Sequence, residues 1–306
     1  MTARPRARRA TLVTVGAAAL LAGGVAAPVS AVASPAGPAT SVGTTASVLS
    51  DPDDWAPVDE ATITPGVQMY TEGGQCTSNF VFTDAEGTTY VGYSAHCAGT
   101  GESSDVDGCR NGSLPLGTRV EFAEGGSLAE EGTQVGGGEL VYSSWLTMDE
   151  LGESDPDTCL YNDFALVEVD TDDVDQVNPS VPIWGGPVGI DSDGLAAGEQ
   201  VYSYGMSSLR SELNPLLSPK TGAAMGDASG AWTHPLYTLS PGIPGDSGSA
   251  FLDSEGDAVG SLSTLTILPI PGGNNIADIN LALGYAQEHS GIEGLEMVAG
   301  TEDFSG

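Results

Sequence analysis

Basic side chains are scarce in this 306-residue chain. Eight Lys and Arg stand against 42 Asp and Glu, for a formal net charge of −34 at pH 7. Four of the eight, Arg4, Arg6, Arg8 and Arg9, lie in the first 33 residues, which hold no acid. Without that segment the net charge is −38, and Arg110, Arg119, Arg210 and Lys220 are the basic side chains left. Such a surface repels phosphate backbones, which argues against a nucleic-acid partner. The acidity fits life in salt, where screening removes self-repulsion, and equally fits drift on a solvated surface.

Long apolar runs are also missing. Leu12 to Val25 is apolar but short for a spanning helix, and no later run reaches about 18 residues. It follows a basic start and precedes Ala31-Val32-Ala33, a small-x-small cleavage pattern, so residues 1–33 read as a removed signal peptide. Arg8-Arg9 faintly suggests twin-arginine export. A secreted, extracellular product with no membrane attachment after processing is expected. There are only four cysteines, Cys76, Cys97, Cys109 and Cys159, and three histidines. No Cys-x-x-Cys or His-x-x-x-His spacing is present, so neither a zinc site nor any other metal or cofactor is expected. An even cysteine count in an exported chain points to two disulfides, with three pairings open.

Charged residues make up only 16% of the chain, while Gly numbers 43 and Pro 19. That composition suits a turn-rich β protein. Residues 34–64 are rich in Ala, Pro, Ser and Thr and then acidic, without apolar periodicity, and read as a flexible linker or short pro-segment. One domain, 65–306, follows. Asn79–Phe82 and Thr88–Tyr93 form a hairpin about the turn Asp84–Gly87. Further strands are expected at Arg119–Phe122, Gly138–Tyr142, Phe164–Val169, Val181–Trp184, Gln200–Tyr204, Ala231–Thr233, Ala250–Leu252 and Ala258–Leu262. Asp253–Gly256 reads as the hairpin turn between the last two. Asp170 to Asp175 reads as a solvated crossing between two halves, because it lacks the spacing of a calcium loop. Ala277–Ala286 has helical spacing, with Asp278 as its cap. Strands at this density in two similar halves, about 65–170 and 180–290, suggest paired β-barrels.

The chemistry concentrates at Pro241-Gly242-Ile243-Pro244-Gly245-Asp246-Ser247-Gly248. Glycines on both sides of Ser247 permit positive φ, so its N–H and a nearby one could face a developing oxyanion. As a bare pattern this is equally an ordinary β-turn. His96 follows a strand and adjoins Cys97, whose disulfide would hold the backbone beside a general base. A packed structural histidine is the plain alternative. Asp163, at the mouth of an apolar strand, could orient that imidazole or merely cap the strand. His234 and His289 read as loop and helix surface.

Ser94-Ala95-His96-Cys97, Asp163-Phe164-Ala165-Leu166 and Gly245-Asp246-Ser247-Gly248 occur in that order. Together they resemble the chymotrypsin-type serine peptidases, specifically the secreted actinobacterial branch of streptogrisins and α-lytic protease. The resemblance covers roughly residues 66–290. It implies an all-β fold of two six-stranded antiparallel Greek-key barrels with a C-terminal helix, and a peptidase domain over 65–306. It implies Ser247 as nucleophile, His96 as general base and acid, Asp163 as its orienting carboxylate, and the Gly245 and Ser247 N–H groups as the oxyanion hole. It also implies a hydrogen bond from Ser263 to the catalytic Asp and the disulfides Cys76–Cys97 and Cys109–Cys159. The substrate pocket would be formed by Pro241, Gly242 and Pro244 with Ser263, Thr264 and Leu265. Pro241 at its base and Leu265 at its entrance would favour small or medium apolar residues. Family members often carry an arginine that anchors the Asp before the nucleophile. Ser203-Tyr204 stand there, so Arg210 or Lys220 is expected to neutralise Asp246, with a liberated N-terminal amine or backbone N–H groups alone as the alternatives.

The activity implied is a monomeric endopeptidase acting on protein or peptide substrates. A binding protein of the same fold with little turnover, and an esterase using the same triad, are the alternatives.

Overall fold

The computed structural model describes residues 50–101, 106–127, 130, 132–266 and 273–306. The signal peptide and residues 34–49 of the expected linker lie outside them. The first half contains β1 (Gln68–Thr71), β2 (Gly74–Thr77), β3 (Val81–Thr83), β4 (Thr89–Tyr93), β5 (Arg119–Glu124) and β6 (Thr133–Ser143). Helices α1 (Ser144–Leu151) and α2 (Pro156–Tyr161) then lead into β7 (Ala165–Val169). The second half contains β8 (Gln200–Tyr204), the short α3 (Asn214–Leu217), β9 (Pro219–Ala224), β10 (Thr233–Thr238), β11 (Ala250–Leu252), β12 (Ala258–Thr266) and β13 (Gly273–Asp278). Helix α4 (Ile279–His289) and β14 (Glu296–Met297) end the chain. No helix among the described residues is long and apolar enough to cross a membrane.

All strand pairs are antiparallel. The second half is a closed six-stranded barrel in the order β10-β13-β12-β11-β8-β9. The first is a sheet in the order β14-β3-β4-β7-β6-β5-β1-β2. Its two ends are joined, because β2 and β3 are separated by only three residues that bend between neighbours. Ser78 N donates to Val67 O (3.0 Å) on the β1 side, and Asn79 N donates to Gly92 O (2.8 Å) on the β4 side. With β2 and β3 taken as one bent strand, each half is a six-stranded ring with the same chain order, a Greek key. The all-β two-barrel fold with a C-terminal helix is therefore present.

Strand alternation explains where the cores lie. On β7, Ala165, Val167 and Val169 point into the first barrel with Val91, Phe122 and Leu140. Leu166, on the opposite face, joins Phe80, Phe82, Phe164, Tyr202 and Leu252 in a second core between the barrels. A third, built on Val201, Leu236, Phe251 and Ile276, fills the second barrel. Period-two alternation puts successive side chains into different cores. β7 can thus wall one barrel and pack it on the other.

Three expectations need correction. The part of the linker that is described, 50–64, is packed onto the domain. Ile63 is fully buried, Ala56 N donates to Val177 O (3.0 Å), and Asn178 Nδ2 donates to Ala56 O (2.7 Å). Short sequences of this composition can be ordered by backbone hydrogen bonds to a neighbour, which periodicity does not register. Val181–Trp184 is a turn, closed by Gly185 N to Val181 O (2.9 Å), with Ile183 at φ 73°. Of the expected strand Ala231–Thr233 only Thr233 is in a strand, opening β10, while Ala231 ends a 3-10 turn at φ 70°. The 170–175 crossing is exposed at Thr171, Asp172 and Asp175 as expected, with Asp170 paired to Arg119 and Asp173 Oδ2 accepting from Gly137 N (2.9 Å). Helix α4 forms as expected, with Asp278 Oδ1 accepting from Leu281 N (2.6 Å).

Candidate active site

His96 sits in a short 3-10 turn, Ala95–Ala98, directly after β4. The disulfide Cys76–Cys97 ties that turn to β2, and Cys109–Cys159 ties the 107–111 turn to α2. Asp163 is 1% exposed and receives three hydrogen bonds. Its Oδ1 accepts from His96 N (2.9 Å), and its Oδ2 from His96 Nδ1 (2.7 Å) and Ser263 Oγ (2.6 Å). Burial alone would raise the carboxyl's pKa; the imidazole and the two further donors outweigh it and hold it below 3.8. Burial likewise works against the imidazolium, but the Asp163 charge and hydrogen bond raise the His96 pKa above 6.5. Ser144, at the start of α1, was not singled out from sequence. Its Oγ donates to Asn162 O (2.7 Å) and accepts from Phe164 N (3.1 Å), so it grips the backbone on both sides of Asp163.

The Ser247 turn has Gly245 at φ 95° and Gly248 at φ 89°. Both positions need glycine for space as well as for φ. A Cβ on Gly248 would run into the Thr77 carbonyl, and one on Gly245 into Gln75 Oε1. The N–H groups of Asp246, Gly248 and Ser249 are spent on Ile243 O (2.9 Å), Leu262 O (2.7 Å) and Asp246 O (3.0 Å). Those of Gly245 and Ser247 have no acceptor among the described residues. The orientation of the Gly245 N–H follows from its peptide plane, because Ser207 Oγ donates to Pro244 O at 2.6 Å and turns that carbonyl away. Thr77 Oγ1 (2.7 Å) and Gln75 Nε2 (3.0 Å) hold the Gly245 carbonyl in turn. Gln75 and Thr77 belong to the first barrel, so they staple the turn across the interface.

Asp246 is fully buried. Its Oδ1 accepts from Arg210 Nη1 (2.6 Å) and Ser207 N (3.1 Å), its Oδ2 from Ile243 N (3.0 Å), and Lys220 Nζ lies 3.4 Å from Oδ2. Both expected cations are therefore used, not one. Arg210 Nη2 also donates to Pro241 O (2.7 Å). Burial pulls the Lys220 pKa down to about 8, against the attraction of Asp246 and with the repulsion of Arg210.

His96, Gly245 and Ser247 line one cleft of about 600 Å³ together with Pro244 and the Cys76–Cys97 bridge. No hydrogen bond joins the imidazole to the Ser247 hydroxyl among the described residues. Ser263 Oγ is spent on Asp163, Thr264 Oγ1 accepts from Asn275 Nδ2 (3.1 Å), and Gly242 lies on the segment between Pro241 and Ile243. Leu265 is on β12, but its side chain lies outside the described residues. The two groups of His, Cys and Asp atoms within ligand distance, Cys76–His96–Cys97 and Asp107–Cys109–Cys159, each contain disulfide sulfurs, which offer no thiolate.

His234 corrects the sequence reading. It is fully buried on β10, with Nδ1 2.9 Å from Asp227 Oδ1 and Nε2 2.8 Å from Asp278 Oδ2. Burial opposes its charge, but the Asp278 and Asp227 carboxylates win and raise its pKa above 6.5. A raised folded pKa gives stability that is fully present below the unfolded value and lost as pH rises through the folded one. His234→Leu should therefore lower Tm most below pH 6.5, with the deficit narrowing at higher pH. Thermal melts of both proteins across pH measure this, and a pH-independent deficit would contradict the bridge.

No family model matches the sequence, and no curated protein matches it. Solved structures with a similar fold include Thermobifida fusca Protease A, at 17% identity over 78% of this chain and 100% of its own, with a TM-score of 0.47. Nocardiopsis Protease is 16% identical over 77% and 98%, with a TM-score of 0.45. Cellulomonas bogoriensis chymotrypsin is 15% identical over 78% and 98%, with a TM-score of 0.43. Function has to be read from the geometry of the site itself.

Proposed function

We propose that the chain is a secreted, monomeric serine endopeptidase of the chymotrypsin type. The observation that carries this is the relay Ser263–Asp163–His96, which leaves the imidazole Nε2 as its free nitrogen in a cleft shared with Ser247 and two unspent N–H groups. With Nδ1 donating to Asp163, Nε2 is the basic nitrogen. It takes the Ser247 proton as Oγ attacks the scissile carbonyl. The Gly245 and Ser247 N–H groups hold the oxyanion, and His96 then protonates the leaving amine. Water repeats the cycle on the acyl-enzyme.

The test is labelling by a fluorophosphonate combined with hydrolysis of a peptide library, with Ser247→Ala as control. Labelling with peptide cleavage is the expected result. Labelling with only ester turnover would make the chain an esterase, and no labelling would make it a binding protein of this fold. In the same library, cleavage after Ala, Val or Leu is expected. A cation there would face Pro241, whose carbonyl Arg210 already occupies, with no carboxylate to pair it. Dominant cleavage after Lys, Arg or Glu would overturn this pocket assignment.

The pH dependence follows from His96. Its pKa is raised above 6.5, and it must be neutral to act as base. The acid limb of kcat/KM should therefore have its midpoint above 6.5, and Asp163→Asn should move it. A profile flat from acid to neutral pH would exclude this base.

A further inference from the structure

The cleft beside Ser247 has walls that the proposed chemistry does not use. Besides His96, Gly245 and Ser247 it is lined by Glu72, Thr100, Asn111, Leu114 and Trp145, over the Cys76–Cys97 bridge. Neither 241–243 nor 263–264, from the stretches proposed for the acyl-side residue, belongs to its lining. His96 hands its proton to the departing amine, so the departing chain leaves past His96. This cleft is the walled space there.

Glu72 stands out in it. It is exposed at the cleft and, apart from His96, is the only titratable side chain in the lining among the described residues. It makes no hydrogen bond or ion pair among the described residues. The nearby Arg119 does not neutralise it, since its guanidinium is held by Asp170 at 2.6 and 2.8 Å. Its backbone is also unusual. Thr71 pairs with Gly74, which leaves Glu72-Gly73 as a two-residue hairpin turn with φ of 48° and 86°. Turns with two positive φ values favour Asn, Asp or Gly at the first position, so a longer acid there runs against local preference. Broken local rules concentrate at functional sites.

We infer that this cleft is a second specificity site, which takes residues on the leaving-group side of the scissile bond and selects Lys or Arg there through Glu72. This rests on the peptidase reading above. The lining suits such a side chain: Leu114, Trp145 and the disulfide can cover an aliphatic stem while the charged head reaches the rim. The net charge of −38 after loss of residues 1–33 attracts cationic peptides in general, so the test separates Glu72 from the background field.

Internally quenched peptides with one fixed acyl side would carry Lys, Arg, norleucine or Glu at each of the first three positions after the scissile bond. At one position, kcat/KM for Lys or Arg should exceed that for norleucine by about fivefold, the order expected of one exposed ion pair. The gap should shrink in high salt. Glu72→Gln should remove most of it, and Glu86→Gln, an exposed acid in the β3–β4 turn, should leave it intact. Equal rates for all side chains, or a preference that survives Glu72→Gln, would overturn the inference while leaving the peptidase reading standing. Fluorophosphonate labelling of Ser247 without cleavage of any peptide would remove the peptidase reading, and this inference with it.

Discussion

Asp163→Asn should lower kcat/KM by about 10⁴-fold, the order seen when a triad carboxylate is lost without loss of geometry. Three donors converge on the two carboxylate oxygens: His96 N, His96 Nδ1 and Ser263 Oγ. An amide has one oxygen and one NH₂, so at least one of these donors loses its acceptor. If the NH₂ faces the ring, Nδ1 must accept and Nε2 carries the proton, which is the wrong tautomer for removing a proton from Ser247. Ser247→Ala should fall at least as far, and the double variant little further, because the residues act as a unit. Circular dichroism and thermal melts should show folded protein, and active-site titration should show loss of the acylation burst. Wild-type hydrolysis by Ser247→Ala would end the assignment.

Arg210→Ala should have the next largest effect. Arg210 bonds both Asp246, which shapes the turn from behind, and the carbonyl of Pro241. Removing it leaves a buried carboxylate facing only Lys220 at 3.4 Å and backbone N–H groups. Breaking a buried pair by deleting one partner costs about 3–5 kcal/mol. A turn that loses its hold on the Gly245 N–H should lose about 10²–10³-fold in kcat, the worth of one oxyanion donor. Lys220→Met should be milder, since Arg210 still pairs Asp246 and the buried ammonium is already unfavourable. Its folded pKa of about 8 lies below the ordinary lysine value of 10.5. Between those values the unfolded chain binds more protons, so the wild type gains stability with rising pH there. Lys220→Met should lack that gain. Melts from pH 7 to 10.5, with kcat measured on an ester substrate, check both variants; equal losses in the two would contradict the latch.

His96, Asp163 and Ser247 could be picked out as candidates because each sits in a short motif whose chemistry is local. They are the residue after a strand beside a cysteine, the acid opening an apolar strand, and the serine between two turn glycines. The hairpin at 79–93 and the capped helix α4 were legible for a similar reason, since periodicity and turn chemistry are properties of neighbours. Strand β9 was not. Its buried positions are Lys220 and Ala224, and a buried cation at the first of them removes the apolar alternation that would mark it. Helices α1 and α2 escape the pattern because they are only eight and six residues long, too short for a helical period to stand out, and Val181–Trp184 reads as a strand because its apolar content does not reveal a turn.

By itself, then, the sequence determined which side chains could do chemistry and in what order the chain supplies them. Tertiary structure alone decided which polar groups share a buried site. Ser144 on α1 grips the backbone around Asp163, and Gln75 and Ser207 hold the Ser247 turn from a strand and a loop distant in sequence. Both Arg210 and Lys220 converge on Asp246, and His234 lies between Asp227 and Asp278 instead of at the surface. The physical reason is the cost of burying an unpaired polar group. That cost acts across whatever elements the fold brings together, and nothing in local pattern records which partners will meet.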